Sequence, residues 1–325
     1  MNDSNSVRLP SIRWMFVLVF MVLPQFAHAQ WQASFGAQSK SMAHQALAFL
    51  PNELWVHAGD SVTWTSNADE IHTVTFLTVG QVRLPFQVGC PGFITGGFAT
   101  VDGSTCVTTP PQVKGQTFTV NFPTAGNFKL VCLVHQNMTG VVHVLDLSQP
   151  LPHSQSFYDV QAAKESAALL ADNLQQHDMA AHSGDHGVTA GIGEVVANGG
   201  GFQTLSNLRF MEPTKIIHAG GTVEWTNLDP ATPHTITFGV EPPDPVPPVN
   251  TTLDADGALH GIINSSADSV HSGLIIAAPQ DNLFQPTPPL SVTRFRVTFI
   301  HPGVFPYICM LHDGLGMKGE VIVLP

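Results

Sequence analysis

The sequence predicts an all-β chain of two β-sandwiches in tandem, joined by a linker that carries a short helix. Three observations lead there. With 325 residues the chain is long enough for two domains. It also repeats itself: WVHAGDSVTWT at 55–65 returns as IIHAGGTVEWT at 216–226, and NFPTAGNFKLVC at 121–132 returns as TFIHPGVFPYIC at 298–309. Within each copy, short alternations such as Ser61-Val62-Thr63-Trp64-Thr65 and Thr73-Val74-Thr75-Phe76 are separated by Ala-Gly-Asp, Ala-Gly-Gly and Pro-Gly turns. That is the pattern of half-buried strands at sandwich spacing.

Residues 1–29 come first, with Arg8 and Arg13, an apolar run from Trp14 to Leu23, and Ala27-His28-Ala29. They read as a secretory signal cleaved near Ala29/Gln30, leaving a periplasmic or secreted protein. The apolar run of about 10 residues is too short to span a bilayer, and no later run approaches membrane length. Loss of Arg8, Arg13 and Asp3 with the signal takes the net charge from -12 to -13. Such acidity disfavours nucleic acid as a partner; it either favours encounter with basic docking surfaces or simply keeps an exported protein soluble.

Residues 30–149 are expected to form the first sandwich. Residues 150–200 are expected to form the linker, because Val160, Ala163, Ala167, Leu170 and Leu174 lie on one face of a helix over 158–176, with Lys164, Glu165, Asp172 and Gln175 elsewhere. The second sandwich takes 201–325. It is interrupted by Pro-rich runs between 241 and 290, expected as a long loop over one end of the sandwich or at a contact surface.

The four cysteines divide by context. Cys90 and Cys106 lie in a Gly-rich stretch outside any metal pattern, and export makes a disulfide between them the expectation. Closing a loop of that size contributes roughly 3 kcal/mol in the chain-entropy account. Cys132 in VCLVHQNMTG and Cys309 in YICMLHDGLGMKG are each followed by a histidine three residues on and then by a methionine. Each also has an upstream histidine in a matching context, His72 and His234. The chain therefore holds two sets: His72, Cys132, His135 and Met138, then His234, Cys309, His312 and Met317. Two imidazoles and a thiolate in a plane, with a weak axial thioether, form the ligand set of a type 1 (blue) copper site. With 16 His and 9 Met in the chain, two such coincidences in repeated contexts make chance a poor explanation.

Other histidines carry less. His177, Met179, His182 and His186 in the linker could hold a further copper ion, but a flexible polar linker is the preferred reading of such a compositional cluster. His57 and His218 recur beside Ala-Gly turns and are expected as surface residues at strand ends. Thr73 and Thr235, directly after the upstream histidines, are equally readable as supports of the metal ligands or as ordinary β-branched strand residues.

On these motifs the chain resembles the cupredoxins over about 45–146 and 205–325. The spacing Cys132-x2-His135-x2-Met138 is similar to amicyanin; Cys309-x2-His312-x4-Met317 is similar to plastocyanin and pseudoazurin. The resemblance implies Greek-key sandwiches with copper near one end, one His from the end of an early strand and three ligands from the last loop. It also implies redox proteins as electron donor and acceptor. The first loop departs from the amicyanin pattern in carrying Gln136 and Asn137 where proline is common. The two sites are accordingly expected to differ in reduction potential.

Paired sandwiches of this kind also build multicopper oxidases and copper nitrite reductases, which need additional histidine ligands. The sequence has no H-x-H pair, and Val131 and Ile308 stand before the two cysteines. The expectation is therefore a non-enzymatic electron carrier with two type 1 coppers. Copper storage or delivery outside the cytoplasm is the alternative.

Overall fold

The computed structural model describes residues 28–83, 90, 92–93, 97–180, 186–277 and 292–325. The first repeat runs β1 (Gln30–Gln38), β2 (His44–Leu50), β3 (Glu53–His57), β4 (Ser61–Ser66), β5 (Thr75–Phe76), β6 (Gly92–Phe93), β7 (Phe98–Thr100), β8 (Val107–Thr108), β9 (Thr117–Asn121), β10 (Gly126–Val131) and β11 (Thr139–Leu145). Helix α1 (Gln155–Ala180) follows. The second repeat runs β12 (Gly187–Asn198), β13 (Gly201–Met211), β14 (Thr214–His218), β15 (Thr222–Leu228), β16 (Thr237–Phe238), β17 (Thr251–Leu253), β18 (Leu259–Ile263), β19 (Val270–His271), β20 (Arg294–Phe299), β21 (Gly303–Ile308) and β22 (Lys318–Leu324). Among the described residues the chain is thus all-β with one long helix.

Alternation decides which face of each strand turns inward, because successive side chains leave a strand on opposite sides. In β4, Val62, Trp64 and Ser66 are buried; in β15, Val223, Trp225 and Asn227 are buried. The sequence repeat is a core repeat as well. In the first sandwich Trp64 meets Phe76 at 5.6 Å, Phe76 meets Phe122 at 5.6 Å, and Phe122 meets Phe128 at 5.4 Å between ring centroids. The second repeats the series with Trp225–Phe238 at 5.7 Å, Phe238–Phe299 at 5.6 Å and Phe299–Phe305 at 5.1 Å. Such ring pairs contribute about 0.5–1.5 kcal/mol each beyond the area they bury.

The two sandwiches share a sheet. Its strand order is β17-β18-β20-β15-β12-β13-β2-β1-β4-β9-β7, while each sandwich closes its core with a sheet of its own, β3-β11-β10-β5-β8-β6 and β14-β22-β21-β16-β19. The join is the antiparallel pair β2–β13, from Leu47 opposite Thr204 to His44 opposite Asn207. Each hairpin, β1–β2 and β12–β13, thereby covers the other's edge, which would otherwise present unpaired backbone groups. Ala46, Ala48, Leu50, Leu169 and Leu205 form an apolar cluster over the join. Phe202 N–H also donates to Thr139 Oγ1 at 2.8 Å, and Arg209 to the Ser41 carbonyl at 2.7 Å.

Four expectations need correction. Residues 187–198, assigned above to the linker, form β12, paired with both β13 and β15. The helix is not short: it has 26 residues. It also turns a different face inward, since Val160, Ala163 and Ala167 are exposed while Tyr158 and Leu169 are buried. Polar anchors fix that rotation. Tyr158 Oη accepts from Trp55 N–H at 2.8 Å and donates to Trp55 O at 3.1 Å, and Glu165 accepts from Asn52 N–H and Gln203 Nε2, each at 3.1 Å. An Ala-rich helix offers more than one apolar stripe, so periodicity alone picks poorly. Finally, the insertion expected as a loop carries β17, β18 and β19. β18 lies parallel to β20 and extends the shared sheet.

Candidate metal centres

Each upstream histidine is fixed by a two-bond bridge just before a short strand. His72 exchanges backbone hydrogen bonds with Gln112 at 3.0 and 2.7 Å; His234 does so with Ile275 at 3.0 and 2.8 Å. The Cys-to-Met loops are closed by the cysteine N–H donating to the methionine carbonyl, Cys132 to Met138 at 2.9 Å and Cys309 to Met317 at 3.1 Å. In the longer second loop a 3-10 turn, Asp313–Leu315, takes up the extra residues.

These frames bring the predicted residues together. The ligand atoms of His72, Cys132 and His135 all lie within 4.8 Å of one another, and so do those of His234, Cys309 and His312. The Nδ1 atoms of each histidine pair are 3.2 Å apart. Cys132 Sγ is 3.8 Å from His135 Nδ1, and Cys309 Sγ is 3.8 Å from His234 Nδ1 and 3.3 Å from His312 Nδ1. Nitrogen and sulfur lone pairs converging on one point repel unless a proton or a metal cation stands among them. This donor set suits copper. Met138 and Met317 are fully buried in the same apolar cores as their cysteines.

Electrostatics agree with convergence. Burial would raise the Cys132 thiol, but hydrogen bonds with His135 and His72 outweigh it and hold the pKa well below the ordinary thiol range. For Cys309, burial is outweighed by the charge of His312 and by hydrogen bonds with His234 and His312. Burial would lower His135 and His312. Cys132 and Glu70 raise the first to about 9, and Cys309 and Glu70 raise the second to about 10. Backbone donors complete the thiolate surroundings: Thr73 N–H and His135 N–H reach Cys132 Sγ at 3.4 Å, and Thr235 N–H reaches Cys309 Sγ at 3.3 Å. The threonine hydroxyls brace the loops, Thr73 Oγ1 accepting from Leu133 N–H at 2.7 Å and Thr235 Oγ1 from Met310 N–H at 2.8 Å.

Sequence reasoning missed two features. Gly36 and Gly191, with φ of 65° and 76°, sit where the register of β1 and of β12 shifts. A Cβ there would stand 2.7 Å from His72 Nε2 and 2.1 Å from His234 Nε2. Both nitrogens are buried without a hydrogen-bond partner, so close backbone approach is what seats these rings. Two glycines, each inside an alternating run, were the available signal. The second feature is Glu70, buried between the sandwiches. Its Oε1 lies 3.2 Å from His135 Nε2 and its Oε2 lies 3.6 Å from His312 Nε2. Burial would raise this carboxyl, but the charge of His312 and hydrogen bonds from His135 and His312 keep it well below the carboxylate range. Nothing along the chain marks Glu70, because His312 meets it only through the packing of the two repeats.

Beside the two imidazoles opens a cavity of about 310 Å³, lined also by Glu70, Ile71, Leu274 and Leu311. Pro245 and Val246 bring the start of the Pro-rich insertion to the same place. The expected Cys90–Cys106 disulfide is formed. Of the linker cluster, His182 and the side chains of His177 and Met179 lie outside the described residues, as does most of the signal segment; His186 pairs through its carbonyl with Glu224 N–H at 3.0 Å. Among the described residues no helix is long and apolar enough to cross a membrane. His57 and His218 bond to the carbonyls of Gln149 and Pro325, each at 2.8 Å, away from both centres.

Comparison with known proteins places a family match in the first repeat. Residues 37–145 match the family described as copper binding proteins, plastocyanin/azurin family. Chloroplastic plastocyanin of Tetradesmus obliquus is 31% identical over 101 residues, which make up 30% of this chain and 59% of that protein, less than two thirds of its length. Among solved structures, a reduced amicyanin variant is 22% identical, with 36% of this chain and 82% of that chain covered and a TM-score of 0.25. A purple cupredoxin from Nitrosopumilus maritimus is also 22% identical, with 35% and 99% covered and a TM-score of 0.25. Residues 37–145 are thus similar to the plastocyanin/azurin family of copper-binding proteins, the cupredoxins.

Proposed function

We propose that the protein is an exported electron carrier with two type 1 copper sites. His72, Cys132, His135 and Met138 would hold one ion; His234, Cys309, His312 and Met317 would hold the other. The observation that carries this reading is the duplicated convergence of two Nδ1 atoms and one Sγ, buried beneath a loop closed from cysteine to methionine. Copper supplies one-electron redox chemistry when bound to such a set. The residues contribute stiffness and dryness. The histidines are held by backbone bridges, the thiolates accept backbone N–H bonds, and the cores exclude water, so the ligands change little as the charge changes by one.

Burial also favours a carrier over a delivery protein. Both cysteines and both upstream histidines are 0% exposed, with His135 at 1% and His312 at 3%, whereas delivery benefits from an open, exchangeable shell. The Cys90–Cys106 disulfide supports export through residues 1–29, since disulfides persist in oxidising compartments. A net charge of -12 supports redox partners with basic docking surfaces.

The test is copper content and visible absorption of the copper-loaded protein beside Cys132→Ser and Cys309→Ser. Two ions per chain are expected, with an intense thiolate-to-copper band that loses a part in each variant. A single band abolished by one substitution and untouched by the other would overturn the two-site reading.

A further inference from the structure

The two centres meet at one place: His135 and His312 line the same cavity, and both approach Glu70. In each downstream histidine the two ring nitrogens point to different neighbours. Nδ1 turns to the Cys–His group of its own repeat, and Nε2 turns to Glu70. A ring whose Nδ1 binds a metal carries its remaining proton on Nε2, where it must donate. Here both Nε2–H groups are buried, and leaving either without an acceptor would cost about 1–3 kcal/mol. One carboxylate, itself buried, turns an oxygen to each, Oε1 at 3.2 Å from His135 Nε2 and Oε2 at 3.6 Å from His312 Nε2, the first a close pair and the second a looser ionic contact. Hydrogen bonds to an ionised acceptor are stronger than neutral ones and fix ring orientation.

The arrangement breaks the symmetry of the repeat. Glu70 stands two residues before His72; the residue two before His234 is Thr232, which lines the same cavity. A second carboxylate there would place two like charges in one buried spot. A single acidic side chain from the first repeat therefore serves histidines of both. It does so because the β2–β13 join holds the two loop ends opposite each other.

We infer that Glu70 is a positioning residue that joins the two centres into one pair, across which an electron passes within the chain from one repeat to the other. This rests on the two-site reading above. The route is His135 ring, Glu70 carboxylate, His312 ring. With copper held by both sets, one centre would be oxidised as the other is reduced, while the Nε2 protons of His135 and His312 stay where they are.

The experiment compares wild type with Glu70→Gln and Glu70→Ala. The Gln variant keeps the volume, but its NH2 replaces one of the two oxygens and sets a donor against the N–H of the ring that oxygen faced. One electron is injected per molecule of copper-loaded protein by pulse radiolysis, and re-equilibration between centres is followed by absorption, with copper content measured alongside. Wild type is expected to show a phase independent of protein concentration, slowed about tenfold or more in Glu70→Ala. In copper-free protein, nitrogen-15 NMR is expected to show both Nε2–H protons shielded from solvent exchange in wild type, fewer in Glu70→Gln and neither in Glu70→Ala. An unchanged re-equilibration rate in Glu70→Ala, with both copper bands intact, would overturn the inference. So would exchange-labile Nε2–H protons in wild type. Loss of a copper band from wild type would instead strike the two-site reading beneath it, a result the Cys→Ser comparison identifies separately.

Discussion

Thr73 and Thr235 show how much one side chain can hold in place. Each places a backbone N–H on the cysteine sulfur and a hydroxyl under the N–H that follows the cysteine. The sequence left them equally readable as strand residues or as supports. The contacts decide for support, and they differ in weight: Leu133 is buried, Met310 only partly so. Valine keeps the shape but removes the acceptor. Thr73→Val is therefore expected to destabilise the copper-free protein by about 1–3 kcal/mol, the cost of a buried donor left unpaired. Thr235→Val is expected to cost less. Urea unfolding midpoints would measure both, and a larger loss at Thr235 would refute the argument from burial.

Among the elements, the first strand of each repeat is more than a sheet component. β1 and β12 each kink at a glycine, and the kink brings backbone against the upstream imidazole. Gly191→Ala should therefore act twice. Alanine at φ 76° costs roughly 1–2 kcal/mol in backbone energy, and its Cβ, 2.1 Å from His234 Nε2, must push the ring aside. Gly220 is the control, with φ 80° and nothing within 4 Å of an added Cβ. Gly220→Ala is expected to lower stability and leave the visible spectrum of the copper-loaded protein unchanged, while Gly191→Ala alters both. Identical spectra for the two variants would show that β12 does not seat His234. Strand alternation and turn residues made most elements legible in the sequence. The rotation of α1 was not, because Tyr158 and Glu165 choose it through distant partners, Trp55, Asn52 and Gln203.

At the scale of the whole molecule, two similar centres sit in dissimilar surroundings. The first loop is shorter, and Arg83 donates to the carbonyls of Cys132 and Leu133 at 2.8 and 2.6 Å. The second loop turns through Asp313–Leu315 instead. Hydrogen bonding around the thiolate and the axial position tune the potential of such sites. Redox titration of the copper-loaded protein is accordingly expected to resolve two one-electron transitions. A single transition superposable for both sites would count against inequivalent surroundings, whereas a transition removed selectively by each Cys→Ser variant would assign them.

Sequence alone determined what is local. The alternating strands, the Cys90–Cys106 pairing, the repeat and the two sets of His, Cys, His and Met follow from residue type and spacing. Ligand chemistry constrains a motif strongly enough to be visible in one dimension. Tertiary structure decided what depends on distant parts meeting: that residues 187–198 are a strand rather than a linker, that β2 and β13 fuse the sandwiches into one sheet, and that His135 and His312 come to share Glu70. An acidic residue in a loop carries no mark of the partner it will meet, since that partner arrives from the other repeat only once the sheet edges have paired.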